Sequence, residues 1–335
     1  MQVLIVNQAE VARLLPMEAC MEAMAEALRS VSRGESVLPL RQVIMLPDKA
    51  GAFAAMPAYL GSPAAIGLKS ITVFPGNHGT ELDSHQGAVL LFETKRGSLL
   101  AVMDASSITG IRTAAVSGVA TRLLARADAG NLALLGTGVQ ALKHLEAMAH
   151  ARRLRRVRAW SRNPEHVRAF AQRAGKALGL RVEAAGSAEE AVRGADLICT
   201  VTSSRDPVLK GEWLAPGAHV NAVGASLATA RELDTAAVAR ARLFVDRRES
   251  ALNEAGDFLI PRREGAIDDR HIQGELGELL LGSCRGRQSE SEVTVFKSLG
   301  LAVEDVAAAR LIYDNALKEG AGTRVELGGA RDAGA

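Results

Sequence analysis

Aromatic residues make up only 3% of this 335-residue chain, and there are just three cysteines. A core so poor in aromatics must be built mainly from Ala, Val and Leu. Cys20, Cys199 and Cys284 are too few for a disulfide framework, and their spacing suits neither zinc nor a redox pair. Cys199, in the apolar run Asp196–Val201, reads as an ordinary buried thiol. This usage points to a reducing, cytoplasmic setting. An excess of one charge is also missing. The formal net charge of +2 gives no ground for a nucleic-acid partner, and the arginines at 152, 153, 155, 156 and 158 read as a solvated helix end and loop. No apolar run reaches the length of a membrane helix, and Met1–Val6 is too short and lacks the basic start of a signal segment. No metal site is read.

What remains is a globular composition, 48% hydrophobic and 23% charged, long enough for one large domain or two ordinary ones. The most informative stretch runs from Asn131 to Ala141. A short apolar run ends in Gly136-Thr-Gly138-Val139-Gln140-Ala141, and a helical pattern follows to Ala151. This is the strand–turn–helix order of a dinucleotide site. Gly136 allows the tight turn, Gly138 lets a pyrophosphate approach the backbone, and Ala141 lets helix and strand touch. The N–H groups of the helix start, at Val139 and Gln140, then face the phosphates.

Around this motif the chain changes character. Residues 16–33 predict an amphipathic helix with Pro16 in its first turn and Gly34 at its end. Residues 37–103 hold short β-like runs (42–46, 65–74, 88–92, 98–103) separated by Gly, Pro and Asp turns, one of them at 79–83; they predict a mostly antiparallel sheet. A long helix is expected over 108–124. From 131 strands and helices alternate, with strands at 132–135, 157–160, 181–183, 196–201, 219–223 and 243–245. The clearest helix is 164–178, with Asn163 as its N-cap. A last helix spans about 302–318, and the tail 328–335 reads as frayed. The fold class is therefore α/β: a Rossmann-type, doubly wound parallel sheet at 113–300 plus an α+β unit formed by 1–112 with about 301–335.

The second strand of the nucleotide unit ends Trp160-Ser161-Arg162-Asn163, without the acid that binds a ribose 2′-OH. Ser161 and Asn163 can hydrogen-bond a 2′-phosphate and Arg162 can neutralise it, so NADP(H) is preferred and NAD(H) remains possible.

Six segments, Gly67-Leu-Lys69-Ser, Ser84-His85-Gln86, Ile108-Thr-Gly-Ile-Arg112-Thr-Ala-Ala, Gly136–Ala141, Asn221-Ala-Val-Gly-Ala-Ser226 and Val295-Phe-Lys-Ser298-Leu-Gly, together resemble the ornithine cyclodeaminase/mu-crystallin family. The resemblance runs from about residue 37 to 318. It implies a homodimer, a Rossmann domain, and a separate substrate and dimerisation domain. It implies a small α-amino or α-imino carboxylate worked on by a nicotinamide. Arg41 then holds the substrate carboxylate. Lys69 is either a proton donor or a second carboxylate ligand. Arg112 stands between the carboxylate and the cofactor. Ser84 and His85 are implied cofactor neighbours, although a structural role for His85 stays open. Thr202 and Ser203 follow a strand whose C-terminal end should face the ligand. Val223 is expected at the nicotinamide and Ser298 at its carboxamide.

One departure from the family's cyclodeaminases matters. They carry an aspartate where this chain has Ser226, and a glutamate near the segment 53–57, where this chain has no acid. A hydroxyl cannot neutralise the side-chain ammonium of ornithine, and an unpaired buried ammonium is costly. Ser226 and Glu254 instead match the ketimine-reductase branch. The expected activity is NADPH-dependent reduction of a cyclic imino acid, Δ1-pyrroline-2-carboxylate to L-proline or Δ1-piperideine-2-carboxylate to L-pipecolate. The competing readings are an ornithine or lysine cyclodeaminase using catalytic NAD, a mu-crystallin-like ligand binder, and an amino-acid dehydrogenase.

Overall fold

The computed structural model describes residues 1–77 and 80–329. The turn expected at 79–83 and the tail at 328–335 therefore lie partly outside the described residues. The chain forms two compact units, one from Met1–Arg112 with the stretch from Leu301 onward, the other from Thr113–Gly300.

In the first unit, β1 (Gln2–Val6) leads into α1 (Gln8–Leu14) and α2 (Met17–Ser32). A reciprocal capping box between Asn7 and Glu10 starts α1. Pro16 is the N-cap of α2, which therefore starts one residue later than expected, and Cys20, Met21, Met24 and Leu28 form its buried face. Then follow β2 (Gln42–Met45), β3 (Ala52–Leu60), β4 (Ala65–Val73), β5 (His85–Phe92) and β6 (Leu99–Asp104). Helix α3 (Ala105–Leu124) carries the chain onward. Strands β2 to β6 form an antiparallel ladder, while β1 runs parallel to β6. Strand β3 was not expected, because its alanines and Pro57 hide a strand signal. Pro57 falls beyond the stretch of β3 paired with β2. Buried residues alternate along β4: Ala65, Gly67, Lys69 and Ile71 share one face.

In the second unit eight strands run parallel. They are β7 (Asn131–Leu135), β8 (Arg156–Trp160), β9 (Glu183–Ala184), β10 (Leu197–Thr200), β11 (His219–Ala222), β12 (Arg242–Val245), β13 (Ile272–Glu275) and β14 (Thr294–Lys297). Between them lie α4 (Val139–Ala151), α5 (Pro164–Leu178), α6 (Ala188–Val192), α7 (Thr235–Ala239), α8 (Arg248–Glu254), α9 (Gly256–Arg263) and α10 (Leu276–Leu281). The spatial order β13-β12-β14-β11-β10-β7-β8-β9 reverses direction at β7 and β10. That is the switch point at which a doubly wound sheet binds its ligand. The Rossmann-type fold is thus as the sequence indicated. The strand expected at 181–183 begins only at Glu183. Strands β13 and β14 were not expected: each is four residues long and carries Glu275 or Lys297, so neither shows a clean apolar run.

The chain then closes the first unit. Helix α11 (Ala302–Glu319) ends at Gly320, and β15 (Thr323–Glu326) pairs antiparallel with β1. Gly67 explains how close α11 comes to the sheet. A Cβ there would stand 2.6 Å from Val306 Cγ2.

Of the arginine cluster, Arg153, Arg155 and Arg156 are exposed as the sequence suggested, while Arg152 and Arg158 are half-buried and bound to the main chain. Arg152 donates to the carbonyls of Arg122, Ala125 and Arg126 at the end of α3. Arg155 pairs with Asp196, and Arg158 donates to the Glu190 carbonyl. Their charges serve backbone carbonyls and nearby acids.

Candidate active site

On the buried face of β4, two residues past Gly67, stands Lys69, only 3% exposed. Its Nζ lies 2.8 Å from Asp305 Oδ2, in the first turn of α11. The other Asp305 oxygen accepts from Arg112 Nε at 2.9 Å, and Arg112 Nη1 reaches Glu304 Oε2 at 2.8 Å. Arg112 is 4% exposed, and both acids are fully buried. Burial pulls the Lys69 ammonium down to about 8. The Asp305 carboxylate opposes this, and the charges of Arg112 and Arg41 add to it. Burial also pushes the Asp305 carboxyl up, but Arg112 and Lys69 together hold it below the usual carboxylate range. Arg41 is half-buried, immediately before β2. Lys69, Arg41 and Arg112 thus all belong to one unit, and the Lys69 side chain is turned away from solvent. Glu304 and Asp305 were missed. Their only sequence signal is a pair of acids inside the apolar start of a helix that has no side-chain cap.

Ser84 and His85 sit at the exposed start of β5, with Ser84 Oγ 3.0 Å from His85 Nδ1. The Ser106 hydroxyl donates to the His85 carbonyl.

In the second unit the turn after β7 has the geometry the glycines imply. Gly136 has φ +118°, and a Cβ on it would meet the Val201 carbonyl at 2.6 Å. Gly138 is the N-cap of α4 with no side-chain cap, and a Cβ on it would meet nothing within 4 Å. The first N–H groups of α4 therefore open onto unfilled space, as a phosphate requires. Val139 is 65% exposed beside them, and Gln140 follows, half-buried. These residues fit a dinucleotide: an open cradle, a bare helix start and an uncovered apolar side chain. At the end of β8, Ser161 is half-buried and Arg162 and Asn163 are exposed. Arg162 makes no ion pair among the described residues. Asn163 Oδ1 is occupied as the N-cap of α5, accepting from the Glu165 N–H, so only its amide nitrogen is left to donate to a ligand.

The loops after β10, β11 and β14 carry Thr202, Ser203, Val223, Ser226 and Ser298. Beneath them lies a buried network that sequence reasoning missed. Glu232 accepts from Thr200 Oγ1, from the N–H and hydroxyl of Thr202, and from the Gly224 N–H. Burial, and the nearby Asp257, push its carboxyl up, and the Thr202 hydrogen bonds oppose this. Asp257 accepts from the Glu232 and Leu233 N–H groups and pairs with Lys297. Asp246 accepts from the N–H groups of Leu299 and Gly300, next to the buried Ser298. Ser226 is exposed, and Glu254 is half-buried at the end of α8. Charged residues inside apolar runs, such as Lys297 after Val295-Phe296, were the available clue.

No helix among the described residues is long and apolar enough to cross a membrane, and none of their His, Cys, Asp and Glu side chains group as a metal site.

Comparison with known proteins shows the family and the fold. Mouse ketimine reductase mu-crystallin is 43% identical over 292 residues, 86% of this chain and 89% of that protein. The structure of Δ1-pyrroline-2-carboxylate reductase from Thermococcus litoralis, in complex with NADH and L-proline, superposes with a TM-score of 0.94 at 38% identity. The match covers 96% of this chain and all of that one. An archaeal alanine dehydrogenase dimer with bound NAD superposes at 0.91 and 33% identity, covering 97% of this chain and 99% of that one. The model of the ornithine cyclodeaminase/mu-crystallin family matches residues 1–320, and the chain belongs to that family.

Proposed function

We propose that this oxidoreductase reduces a cyclic ketimine carboxylate, Δ1-pyrroline-2-carboxylate to L-proline or Δ1-piperideine-2-carboxylate to L-pipecolate, using NADPH in preference to NADH. The observation that carries the reading is a cluster of cations. Two cations, Lys69 and Arg112, are buried together on Asp305 and Glu304, and Arg41 is near enough for its charge to act on Lys69, so three cationic side chains gather where a small carboxylate would be held. Position 226 offers a neutral hydroxyl, so no acid there balances a second, cationic tail on the substrate. The relatives named for imine reduction favour the same class.

The division of labour follows. Arg41 and Arg112 clamp the carboxylate and fix the imine carbon. Lys69, with an ammonium that titrates near 8, can hold or deliver a proton at the ring nitrogen and keep it an iminium. Gly136, Gly138, Val139 and Gln140 cradle the dinucleotide, and Ser161, Arg162 and the Asn163 amide select the 2′-phosphate. Thr202, Ser203, Val223 and Ser298 hold the nicotinamide end. Ser84 and His85 are further cofactor contacts, and Ser226 and Glu254 line the substrate side. When bound, the nicotinamide supplies the hydride.

The working form is read as a homodimer. Strand β2 is an edge strand that leaves Val43, Ile44 and Met45 exposed, with Val37 and Tyr59 nearby, and a second copy would cover them. None of the three cysteines is in a disulfide, which suits a reducing cytoplasm.

The test supplies either cyclic imine with NADPH, and separately ornithine with NAD, and follows nicotinamide absorbance and ammonia. Imine-dependent NADPH oxidation supports the reading. Ammonia release from ornithine without imine reduction overturns it.

A further inference from the structure

The two oxygens of the Asp305 carboxylate serve different cations. Oδ2 takes the Lys69 ammonium at 2.8 Å, and Oδ1 takes the Arg112 Nε–H at 2.9 Å. The three side chains come from three elements (β4, α3 and α11), and all are buried. Lys69 and Arg112 are therefore each held from one end by the main chain and from the other by Asp305, Arg112 by Glu304 as well. A buried carboxylate shared this way is costly to desolvate unless both partners are in place. A long lysine side chain that loses its partner regains rotamer freedom.

We infer that Asp305 is a positioning residue for the reaction: from one carboxylate it aims both the Lys69 ammonium and the Arg112 guanidinium. The inference rests on the proposed function for the identity of the substrate but not for the geometry. The charged groups facing Lys69 are Asp305 from α11, Arg112 from α3 and Arg41 from the segment before β2. Its neighbours across β3 and β5, Met56 and Val89, carry no charge. Removing Asp305 takes away the only neighbour among these that favours the charged lysine, so the ammonium must lose its proton at lower pH. The sign is set by the chemistry: an acid raises the basicity of an adjacent amine.

The experiment compares wild type, Asp305→Asn, Asp305→Glu and Lys69→Arg. Two quantities are followed against pH: kcat/KM for Δ1-pyrroline-2-carboxylate with NADPH, and calorimetric binding of the unreactive carboxylate pyrrole-2-carboxylate in the presence of NADPH. In wild type both should fall off on the alkaline side near pH 8, as the Lys69 proton leaves. In D305N the fall-off should move to lower pH by about one unit, roughly a tenfold loss at the wild-type midpoint with recovery on acidification. In K69R it should disappear. A D305N profile lowered by the same factor at every pH would mean a merely structural role and would overturn the inference. So would an alkaline limb that survives in K69R. If D305N does not fold, D305E decides. Keeping the charge but losing the aim, it should retain the limb with kcat at least several-fold lower, whereas wild-type kcat overturns the inference. The binding measurement needs no turnover. A wild type that binds the carboxylate with this limb but reduces no imine would sink the proposed function and leave the role of Asp305 standing.

Discussion

The Lys297 ammonium stands 3.0 Å from Asp257 Oδ2, with both side chains out of solvent, and it also donates to the carbonyls of Ala222 and Ala225 at 3.2 and 2.5 Å. One lysine thus fastens the end of β11 to α9. Breaking such a pair strands the surviving charge. Lys297→Met or Asp257→Asn should each cost about 3–5 kcal/mol in denaturant unfolding. The double replacement by apolar residues should cost clearly less than the sum of the two. Additive losses would show that the two groups do not interact.

The two glycines of the dinucleotide turn should fail differently. Gly136→Ala must adopt φ +118° against the Val201 carbonyl, so it should lower stability by about 1–3 kcal/mol. Gly138 has ordinary backbone angles and open space ahead of it. Gly138→Val should therefore leave the melting temperature of the nucleotide-free protein nearly unchanged while weakening nucleotide binding by at least about tenfold. Thermal melts with and without NADPH separate the two.

Arg162 is expected to discriminate between cofactors without setting the rate. Arg162→Ala should raise KM for NADPH roughly tenfold or more, leave that for NADH within about twofold, and leave kcat with either nearly intact. Equal effects on both nucleotides would make Arg162 a bystander of the 2′-phosphate.

Acid should weaken the second unit through its buried histidines. Burial lowers His144 to about 4, with the Gln140 carbonyl opposing, and lowers His219 to about 3, with the Arg287 charge adding to the burial. Between the unperturbed value of about 6.5 and these folded values, the unfolded chain binds protons that the folded chain does not. Stability must then fall as pH falls through that window, by on the order of 3 kcal/mol for His144 alone. Denaturant unfolding at several pH values should show the slope, and His144→Gln should flatten it. A slope unchanged in that variant would contradict the assignment.

The edge strand β2 supplies the last prediction. Ile44 is 63% exposed between Val43 and Met45. If a second copy covers this strand, Ile44→Asp should convert the dimer to a monomer in sedimentation or light scattering, with the melting temperature becoming independent of protein concentration. An unchanged mass would place the subunit contact elsewhere.

How much of this was legible depended on where the physics was local. The glycine turn, the Asn163 cap and helix 164–178 are set by neighbours a few residues apart, and they appear in the structure as read. Lys69 and Arg112 were recognisable as a pair only through family motifs. That they meet at Asp305 depends on a helix more than 190 residues away in sequence, which no spacing encodes. Strands β3 and β14 were hidden for opposite reasons. One carries Pro57 and alanines, with little β-propensity. The other holds a lysine that is buried only because Asp257 awaits it. The Glu232 network was invisible because its donors are mostly main-chain groups whose positions come from the fold.

Strand β14 is the last strand of its sheet to be synthesised, yet it lies between β11 and β12. Until residue 297 leaves the ribosome, those two strands have no partner on their facing edges, and β1 likewise waits for β15 to close its outer side. A nascent chain of this protein therefore exposes sticky ladder edges until β14 and β15 have emerged, when both units gain their missing strands in quick succession. A fragment that stops short of β14 would keep the facing edges of β11 and β12 unpaired, an invitation to aggregate rather than a working half.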